Sequence, residues 1–257
     1  MASGAIEWIK AALLEVQEYV RMLAASGRAL VTRPFYYRDV VEQFDSIGVG
    51  SLTVVILTGM FTGMVLALQS GMTLDQFGAR SMVGRLVSAS MVKELGPVLT
   101  ALMVTGRVGS GIAAELGSMV VTEQINALRA LGTDPIRKLV VPRILAGTFM
   151  VPVLTVIADG IGMFGAWLIS TWQLRVASSV YWNNVVQGIW IQDVWMGLIK
   201  PFVLGFVIVS IGCHVGLRVR GGTQGVGRGT TNAVVAASVA VLVVDFFVTK
   251  LLIVLMY

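Results

Sequence analysis

Four ionisable side chains stand deep inside long, mainly apolar stretches of the sequence: Glu94, Asp159, Lys200 and Asp245. A charge at the centre of a lipid bilayer costs at least ~2.5–3.5 kcal/mol, so such groups pair with one another or line a hydrated cavity. Carboxylates and an ammonium in that setting can form an ion cluster, relay a proton or accommodate a polar headgroup. Structural ion pairing between helices is the alternative interpretation.

The elements that carry these charges are five apolar windows. The chain has 257 residues, 56% hydrophobic and 13% charged, with a mean hydropathy of +0.84. A soluble domain has about 25% charged residues, so a water-soluble enzyme is excluded. About 20 apolar residues cross a bilayer, and such long unbroken runs favour helices over barrel strands. The sequence therefore predicts an all-α membrane protein with transmembrane helices at 47–68, 86–106, 144–172, 194–217 and 233–257.

The basic residues outside these windows predict the orientation. Thirteen lie in segments on the side of the N-terminus and three in the opposite loops. The positive-inside rule therefore places the N-terminus in the cytoplasm and, with five spans, the C-terminus on the outer side of the membrane. A rise of ~1.5 Å per residue then puts all four buried charges in the outer half of the membrane. We expect them to share a partly hydrated cavity that opens outward.

Prolines follow two of these charges, Pro97 in the second window and Pro201 in the fourth. Each proline removes a donor and frees the carbonyl four residues earlier, that of Lys93 or Gly197. Broken helices beside charges are tolerated where they line a cavity. Lys93 and Lys250 are expected to extend toward the aqueous interface as structural residues.

Residues 1–40 are predicted to form an N-terminal amphipathic interfacial helix, and residues 41–257 the five-span domain. Trp8 and Tyr19 are expected near headgroup level, and Arg33-Pro34 is expected to end the helix. A helix packed on a partner or in a coiled coil is the alternative, and interrupting glutamates exclude a signal peptide. The predicted apolar stripe consists of Ile6, Ile9, Leu13, Val16, Val20 and Leu23.

The connection between the second and third spans carries a compact helix signal over residues 123–135. Glu123 and Gln124 fall in a first turn, Gly132 is suited to end the helix, and Asp134-Pro135 opposes continuation. A short amphipathic helix held at the cytoplasmic face is suited to dock in another protein's groove, whereas a helix lying on lipid is the alternative. The residues of this predicted coupling helix are Glu123, Gln124, Leu128, Arg129, Gly132, Asp134 and Pro135.

Several enzymatic interpretations fail on the residues themselves. The stretch GTQGVGRG at 222–229 is similar to a phosphate loop, but Arg228-Gly229 stand where that loop needs Lys and Ser/Thr. With one cysteine and one histidine, the adjacent Cys213 and His214, no His/Cys metal cluster or Cys–His dyad with supporting spacing is possible. We expect neither a metal nor nucleic acid to bind, because the basic loops are explained by membrane topology.

Pairs of glycines four residues apart allow close contact between helices. Gly59 and Gly63 form one pair in the first span, and Gly212 and Gly216 form another in the fourth. The pattern is equally typical of packing within a chain and of dimerisation.

Long motifs in the chain resemble the MlaE/YrbE-type permease family, the membrane subunits of MCE-associated ABC lipid transporters. They are KELGPVLTALMVTGRVGSGIAAELG at 93–117, EQINALRALGTDP at 123–135 and VPRILAG at 141–147. The resemblance continues through QGVGRGTTNAVVAASVAVLVVDFFVT at 224–249, and so covers nearly all of the chain beyond the N-terminal helix.

This resemblance implies a homodimeric permease in the bacterial inner membrane that moves phospholipids or other hydrophobic molecules and supports outer-membrane lipid asymmetry. It implies an ABC ATPase subunit (MlaF-like) docked on residues 123–135 and an MCE-domain ring protein (MlaD-like) above the outer opening. A STAS-domain subunit (MlaB-like) often binds the ATPase. ATP and magnesium would belong to the partner ATPase, so this chain would hold no cofactor and would not itself be an enzyme.

The resemblance also implies a set of cavity residues. Glu94, Lys200 and Asp245 match charged positions of the family's cavity, which agrees with their depth. Phe77 matches an aromatic near the outer end of the cavity, and Leu66 and Gln69 fall in the matching stretch MVLALQ at 64–69. Asp159, which we also assign to the cavity, departs from the family, where an apolar residue is expected.

Two other functions remain open on the residues. An ion- or proton-coupled carrier would use the buried charges as a relay and would work without an ATPase. A membrane scaffold would anchor partners without turnover, so that changes to the buried charges would affect assembly alone.

Overall fold

The computed structural model describes residues 2–32 and 36–256, with the backbone alone for residues 2–6, 8, 9, 11, 12 and 31. Within these ranges the fold is helical and no strand is present. The α-helices of the described chain are α1 (Ala2–Val31), α2 (Tyr37–Ile47), α3 (Leu52–Asp75), α4 (Val83–Ser90), α5 (Gly96–Val104), α6 (Ser110–Val121), α7 (Gln124–Ala130), α8 (Val141–Trp172), α9 (Ser178–Gly188), α10 (Ile191–Leu217) and α11 (Gly222–Met256). Short 3₁₀ turns lie at Val49–Ser51 and Arg80–Met82, and π-helical turns at Met91–Leu95, Thr105–Gly109 and Ile136–Val140.

Five helical runs in the described chain are long and apolar enough to cross a membrane, which confirms the predicted number of spans. They are Tyr37–Asp75, Arg80–Val121, Ile136–Trp172, Ile191–Leu217 and Gly222–Met256.

These runs are longer than the predicted windows. The fifth begins at Gly222 instead of near residue 233, although its first turns are polar and rich in glycine. Gly225 and Gly229 pack there against the turn Val219–Arg220, and this packing supports a helix that hydropathy does not detect. The apolar windows therefore cover only part of each helical run.

The glycine pairs serve packing within the chain. Gly59 and Gly63 of α3 lie directly against the backbone of Ala158 and Gly162 of α8, so a side chain at Gly63 would collide with the Gly162 carbonyl. Gly216 of α10 likewise lies against α6, where a Cβ would be 3.1 Å from the Cα of Ala113. The sequence left packing and dimerisation open, and the structure uses both pairs to join helices of one chain.

The buried apolar side chains form two clusters along the bundle axis. In the second span, Met91 belongs to one cluster and Ala101 to the other. In the third span the corresponding boundary falls between Ala158 and Ala166. The charges Glu94 and Asp159 therefore lie at the junction between two apolar regions.

Helix α1 lies across one end of the bundle, which we call the α1 end. Glu15 of α1 pairs with Arg218 at 2.8 Å and with His214 at 3.3 Å, beside the C-terminus of α10. The hydroxyl oxygens of Tyr19 and Ser210 are 2.6 Å apart. Burial raises the pKa of Tyr19 above its ordinary value, so this hydroxyl keeps its proton at neutral pH.

The predicted apolar stripe of α1 divides between two environments. Leu13, Val16 and Val20 are exposed, whereas Leu23 packs on the core. Helix α1 ends at Val31. The predicted stop at Arg33-Pro34 and the side chains of Ile6, Trp8 and Ile9 lie outside the described residues.

Candidate functional site

The charged side chain at the centre of the bundle is Lys200 of α10, of which 0% is exposed. Its Nζ donates to Glu94 Oε2 at 2.6 Å and lies 3.4 Å from Asp245 Oδ1. The second contact is an ion pair without hydrogen-bond geometry, because that Oδ1 accepts no hydrogen bond from the described residues. These partners offset the cost of burying an ammonium. We call Glu94, Lys200 and Asp245 the charged triad.

A local break in the second span positions the triad. The π-helical turn Met91–Leu95 precedes Pro97, which cannot donate to the carbonyl of Lys93. That carbonyl instead accepts a hydrogen bond from Lys200 Nζ at 3.0 Å. Gly197 lies one turn before Lys200 and packs on the backbone of Val92, which brings α10 close enough for this contact. The interrupted helix thus supplies one backbone acceptor to a buried lysine.

The three members of the triad differ in exposure, and this difference separates their roles. The side chain of Asp245 is 13% exposed and that of Glu94 is 44% exposed, against 0% for Lys200. Lys200 and Asp245 therefore form the buried part of the triad. Glu94 is the member that can turn toward a ligand.

Glu94 borders an open apolar groove. Two adjoining depressions of about 430 Å³ and 350 Å³ share Leu66 and Leu95, and Glu94 lines the first of them. The residues that line this groove are Phe61, Thr62, Val65, Leu66, Gln69, Ala89, Ser90, Lys93, Glu94 and Leu95. Of the predicted cavity residues, Leu66 therefore lines the same depression as Glu94, and Gln69 lines the adjoining one.

Two other residues assigned to the cavity, Phe77 and Asp159, do not line this groove. Phe77 is 77% exposed in the turn after α3 and lines neither depression of the groove. Asp159 of α8 is buried against Gly96, and its Oδ1 has no hydrogen-bond partner in the described residues. A side chain at residue 96 would collide with the Asp159 carboxylate, which explains why glycine stands there. Asp159 therefore lies next to the triad without an ion pair to it.

A second ion pair supports the same region and was not predicted. Lys93 Nζ lies 2.9 Å from Asp193 Oδ1, and the Asp193 side chain is 0% exposed. Asp193 also accepts the backbone amide of Trp190 at 3.1 Å and so caps α10. Lys93, expected to extend toward water, instead joins the π-helical turn to the start of α10. An aspartate three residues after Trp190, at the border of an apolar window, was the available signal.

The segment predicted to form the coupling helix contains the helix α7, Gln124–Ala130. Glu123, expected in its first turn, precedes the helix with φ +59°. The end of α7 is a Schellman motif, because the amide of Gly132 donates to Arg129 O and that of Thr133 to Leu128 O. Gly132 has φ +73°, a conformation that glycine adopts without strain. Asp134 Oδ1 then accepts the amide of Ile136 at 3.0 Å and starts the next helix.

The side chains of α7 and its flanking residues fall into two groups, those that pack on the bundle and those that are exposed and could contact a partner. Ile125 is buried and Leu128 packs on the core, so this face fixes α7 to the bundle. Leu131 is 80% exposed. Of the other residues assigned to the coupling segment, Pro135 is buried, and those exposed are Glu123, Gln124, Arg129, Gly132 and Asp134.

A bundle of five membrane-length helices, with a buried ion cluster beside an apolar groove, defines a polytopic membrane protein of the transporter class. Residues 40–251 match the family described as Permease MlaE, and the chain belongs to this family. This membership confirms the resemblance read from the motifs, and it makes the chain a permease of the ABC-transporter type.

Relatives cover most of the chain. An intermembrane phospholipid transport system permease protein MlaE from Haemophilus influenzae is 34% identical over 96% of this chain and 98% of its own length. A probable ABC transporter permease protein from Rickettsia bellii is 43% identical over 88% of each chain. Another from Synechocystis is 40% identical over 84% of this chain and 82% of its own.

Proposed function

We propose that the chain is the transmembrane permease subunit of an ATP-driven transporter of phospholipids or similar hydrophobic molecules. Two copies would enclose an outward-facing cavity between the inner membrane and a periplasmic ring of MCE proteins. The observation that carries the proposal is the position of Glu94, which lies at the edge of the apolar groove and is hydrogen-bonded to a fully buried lysine. Membership of the MlaE family supports it.

An amphiphile would use both parts of this site. Its acyl chains would lie on the groove around Leu66 and Leu95. Its phosphate would replace the Glu94 carboxylate as the partner of Lys200, because Glu94 is the exposed member of the triad. Lys200 stays fixed during this exchange by Asp245 and by the Lys93 carbonyl. The site would therefore bind and release a headgroup without moving the buried charge.

ATP hydrolysis would act on this site through the second span. Glu94 and α6 belong to the same helical run, Arg80–Val121, and α7 follows that run directly. An ABC ATPase docked on α7 would displace the run along its axis and change the groove at its other end. ATP and magnesium would be held by the ATPase, with no cofactor in this chain and no covalent chemistry.

The predicted topology and partners complete the proposal. The α1 end would face the cytoplasm, where α7 meets the ATPase and a STAS-domain subunit binds the ATPase in turn. The groove would open toward the periplasm and the MCE ring. Leu13, Val16 and Val20 on the exposed side of α1 would lie on the inner leaflet.

The test is lipid transfer by the reconstituted complex with a fluorescent phospholipid. Glu94→Lys, Lys200→Glu and the double charge reversal are compared with Lys250→Met, which alters an exposed lysine outside the triad. We expect each single reversal to abolish ATP-dependent transfer and the double variant to recover part of it. Transfer at the wild-type rate in all three variants would refute the role of the triad. Transfer that continues without an ATPase would favour the carrier hypothesis.

A further inference from the structure

A second, polar depression of about 520 Å³ lies at the α1 end, where α10 ends and α11 begins. We call it the arginine pocket. Its polar lining consists of Arg218, Arg220, Arg228, His214, Asn232 and the one acidic residue Glu15. It is remote from the charged triad, because Arg218 follows Lys200 by roughly 27 Å along α10. The proposed binding of a lipid in the groove therefore does not explain the presence of this polar pocket.

The three arginines of the arginine pocket differ in their ion pairs with acidic side chains. Arg218 pairs with Glu15 at 2.8 Å and with Glu18 at 2.7 Å. No ion pair joins Arg220 or Arg228 to an acidic side chain in the described part of the chain. The pocket therefore offers two available guanidinium groups, whose planar donor arrangement suits the oxygens of a phosphate.

The glycine-rich segment brings these two arginines to one site. Gly221 and Gly222 have φ values of +93° and +64°, which side chains rarely adopt, and they reverse the chain between α10 and α11. Gly225 lies against the carbonyl of Arg220, so the turn is tight. The segment 222–229, which is similar to a phosphate loop, thus forms the first two turns of α11. The chain reversal just before it places Arg220 and Arg228 on the same pocket.

The surface of α11 next to the pocket is apolar. Arg228, Asn232, Val235 and Val239 are spaced by four, three and four residues, so they share one face of the helix. Val235 is 58% exposed and Val239 is 57% exposed. The face begins with a cation and continues with hydrocarbon, so it is complementary to a lipid that has an anionic phosphate and apolar acyl chains.

We propose that the arginine pocket binds the phosphate headgroup of an anionic phospholipid, whose acyl chains lie along Val235 and Val239. Arg220 and Arg228 donate to the phosphate, and Asn232 supplies a further polar contact. This site is separate from the groove, so a lipid bound here is not the lipid held beside Glu94. Its location between α1 and α11 makes it a binding site for the leaflet at the α1 end.

The experiment measures lipid binding to the purified full-length protein in mild detergent by native mass spectrometry. The probes are dioleoyl phosphatidylglycerol and dioleoyl phosphatidylcholine. The variant Arg220→Gln/Arg228→Gln is compared with Arg28→Gln/Arg38→Gln, which removes two exposed arginines outside the pocket. We expect phosphatidylglycerol to bind more tightly than phosphatidylcholine. The pocket variant should lose about thirty-fold in affinity, the loss for two arginine contacts, and the control variant should bind as wild type.

Two further arms make the result decisive. Single Arg228→Gln, at an exposed position, tests the site if the double variant does not fold, and about five-fold weaker binding is expected for one contact. Inorganic phosphate in excess should not displace phosphatidylglycerol, since it lacks acyl chains. Equal affinity of wild type and pocket variants for phosphatidylglycerol would overturn the proposal. Displacement by inorganic phosphate at matching affinity would overturn it in favour of a soluble anion.

Discussion

Replacing the buried lysine tests whether the charged triad is an interdependent unit. Lys200→Met removes the cation and leaves Asp245, which is 13% exposed, without its counter-charge. Breaking a buried pair costs about 3–5 kcal/mol. Glu94 is 44% exposed and can turn to water, so the lower limit of about 3 kcal/mol applies. The free energy of unfolding should fall by that amount.

The second variant of this cycle is Lys200→Met/Asp245→Asn. It removes the stranded charge, so it should be more stable than Lys200→Met by about 1–2 kcal/mol, within the usual coupling of contacting residues. Denaturant unfolding of the purified protein in detergent measures each value, with Lys250→Met as the control for loss of an exposed lysine. The single variant Asp245→Asn completes the cycle. If the effects of Lys200→Met and Asp245→Asn add up to that of the double variant, the interdependence of the triad is refuted.

Three further predictions concern α7, the glycine contact and Asp159. Leu131→Asp should reduce co-purification of the ATPase without lowering the unfolding temperature. Leu128→Ala should lower the unfolding temperature, because Leu128 packs on the core. Intact ATPase binding in Leu131→Asp would exclude this surface. Gly63→Val should prevent normal folding, as judged by size-exclusion chromatography, and Gly160→Ala should not, because nothing lies within 4 Å of a Cβ at that position. Asp159→Asn should raise the unfolding temperature and leave lipid transfer unchanged, since its carboxylate lacks a partner for Oδ1 in the described residues; loss of transfer would place Asp159 in the transport mechanism.

The height of a residue in the bundle could be predicted from the sequence. A helix rises by a fixed distance per residue, so counting from the ends of the apolar windows was enough to place Glu94, Lys200 and Asp245 at a similar level. The effect of Pro97 on the Lys93 carbonyl was predictable for a similar reason, because it depends on local covalent structure. The end of α7 followed from Gly132 in the same way.

The rotation of each span about its own axis could not be predicted. A span that is apolar on all sides has no polar face to orient it, so its sequence leaves open which helix a charged residue meets. The sequence therefore did not predict that the Asp159 carboxylate lies against Gly96. For the same reason the sequence did not predict the ion pair between Lys93 and Asp193. Phe77 was assigned to the cavity by resemblance, which gives its position in the sequence but not the direction of its side chain.

The distribution of glycines and π-helical turns indicates which span can move. The first span is locked to the third, because Gly63 lies against the Gly162 carbonyl and offers no room for sliding. The second span instead carries π-helical turns at Met91–Leu95 and Thr105–Gly109, on both sides of α5. Conversion of a π turn to α-helical geometry shifts the chain by one residue and rotates the adjoining part of the span by about 100°. Such a rotation would turn Glu94 away from Lys200, so we expect the coupling between α7 and the groove to pass through these two turns.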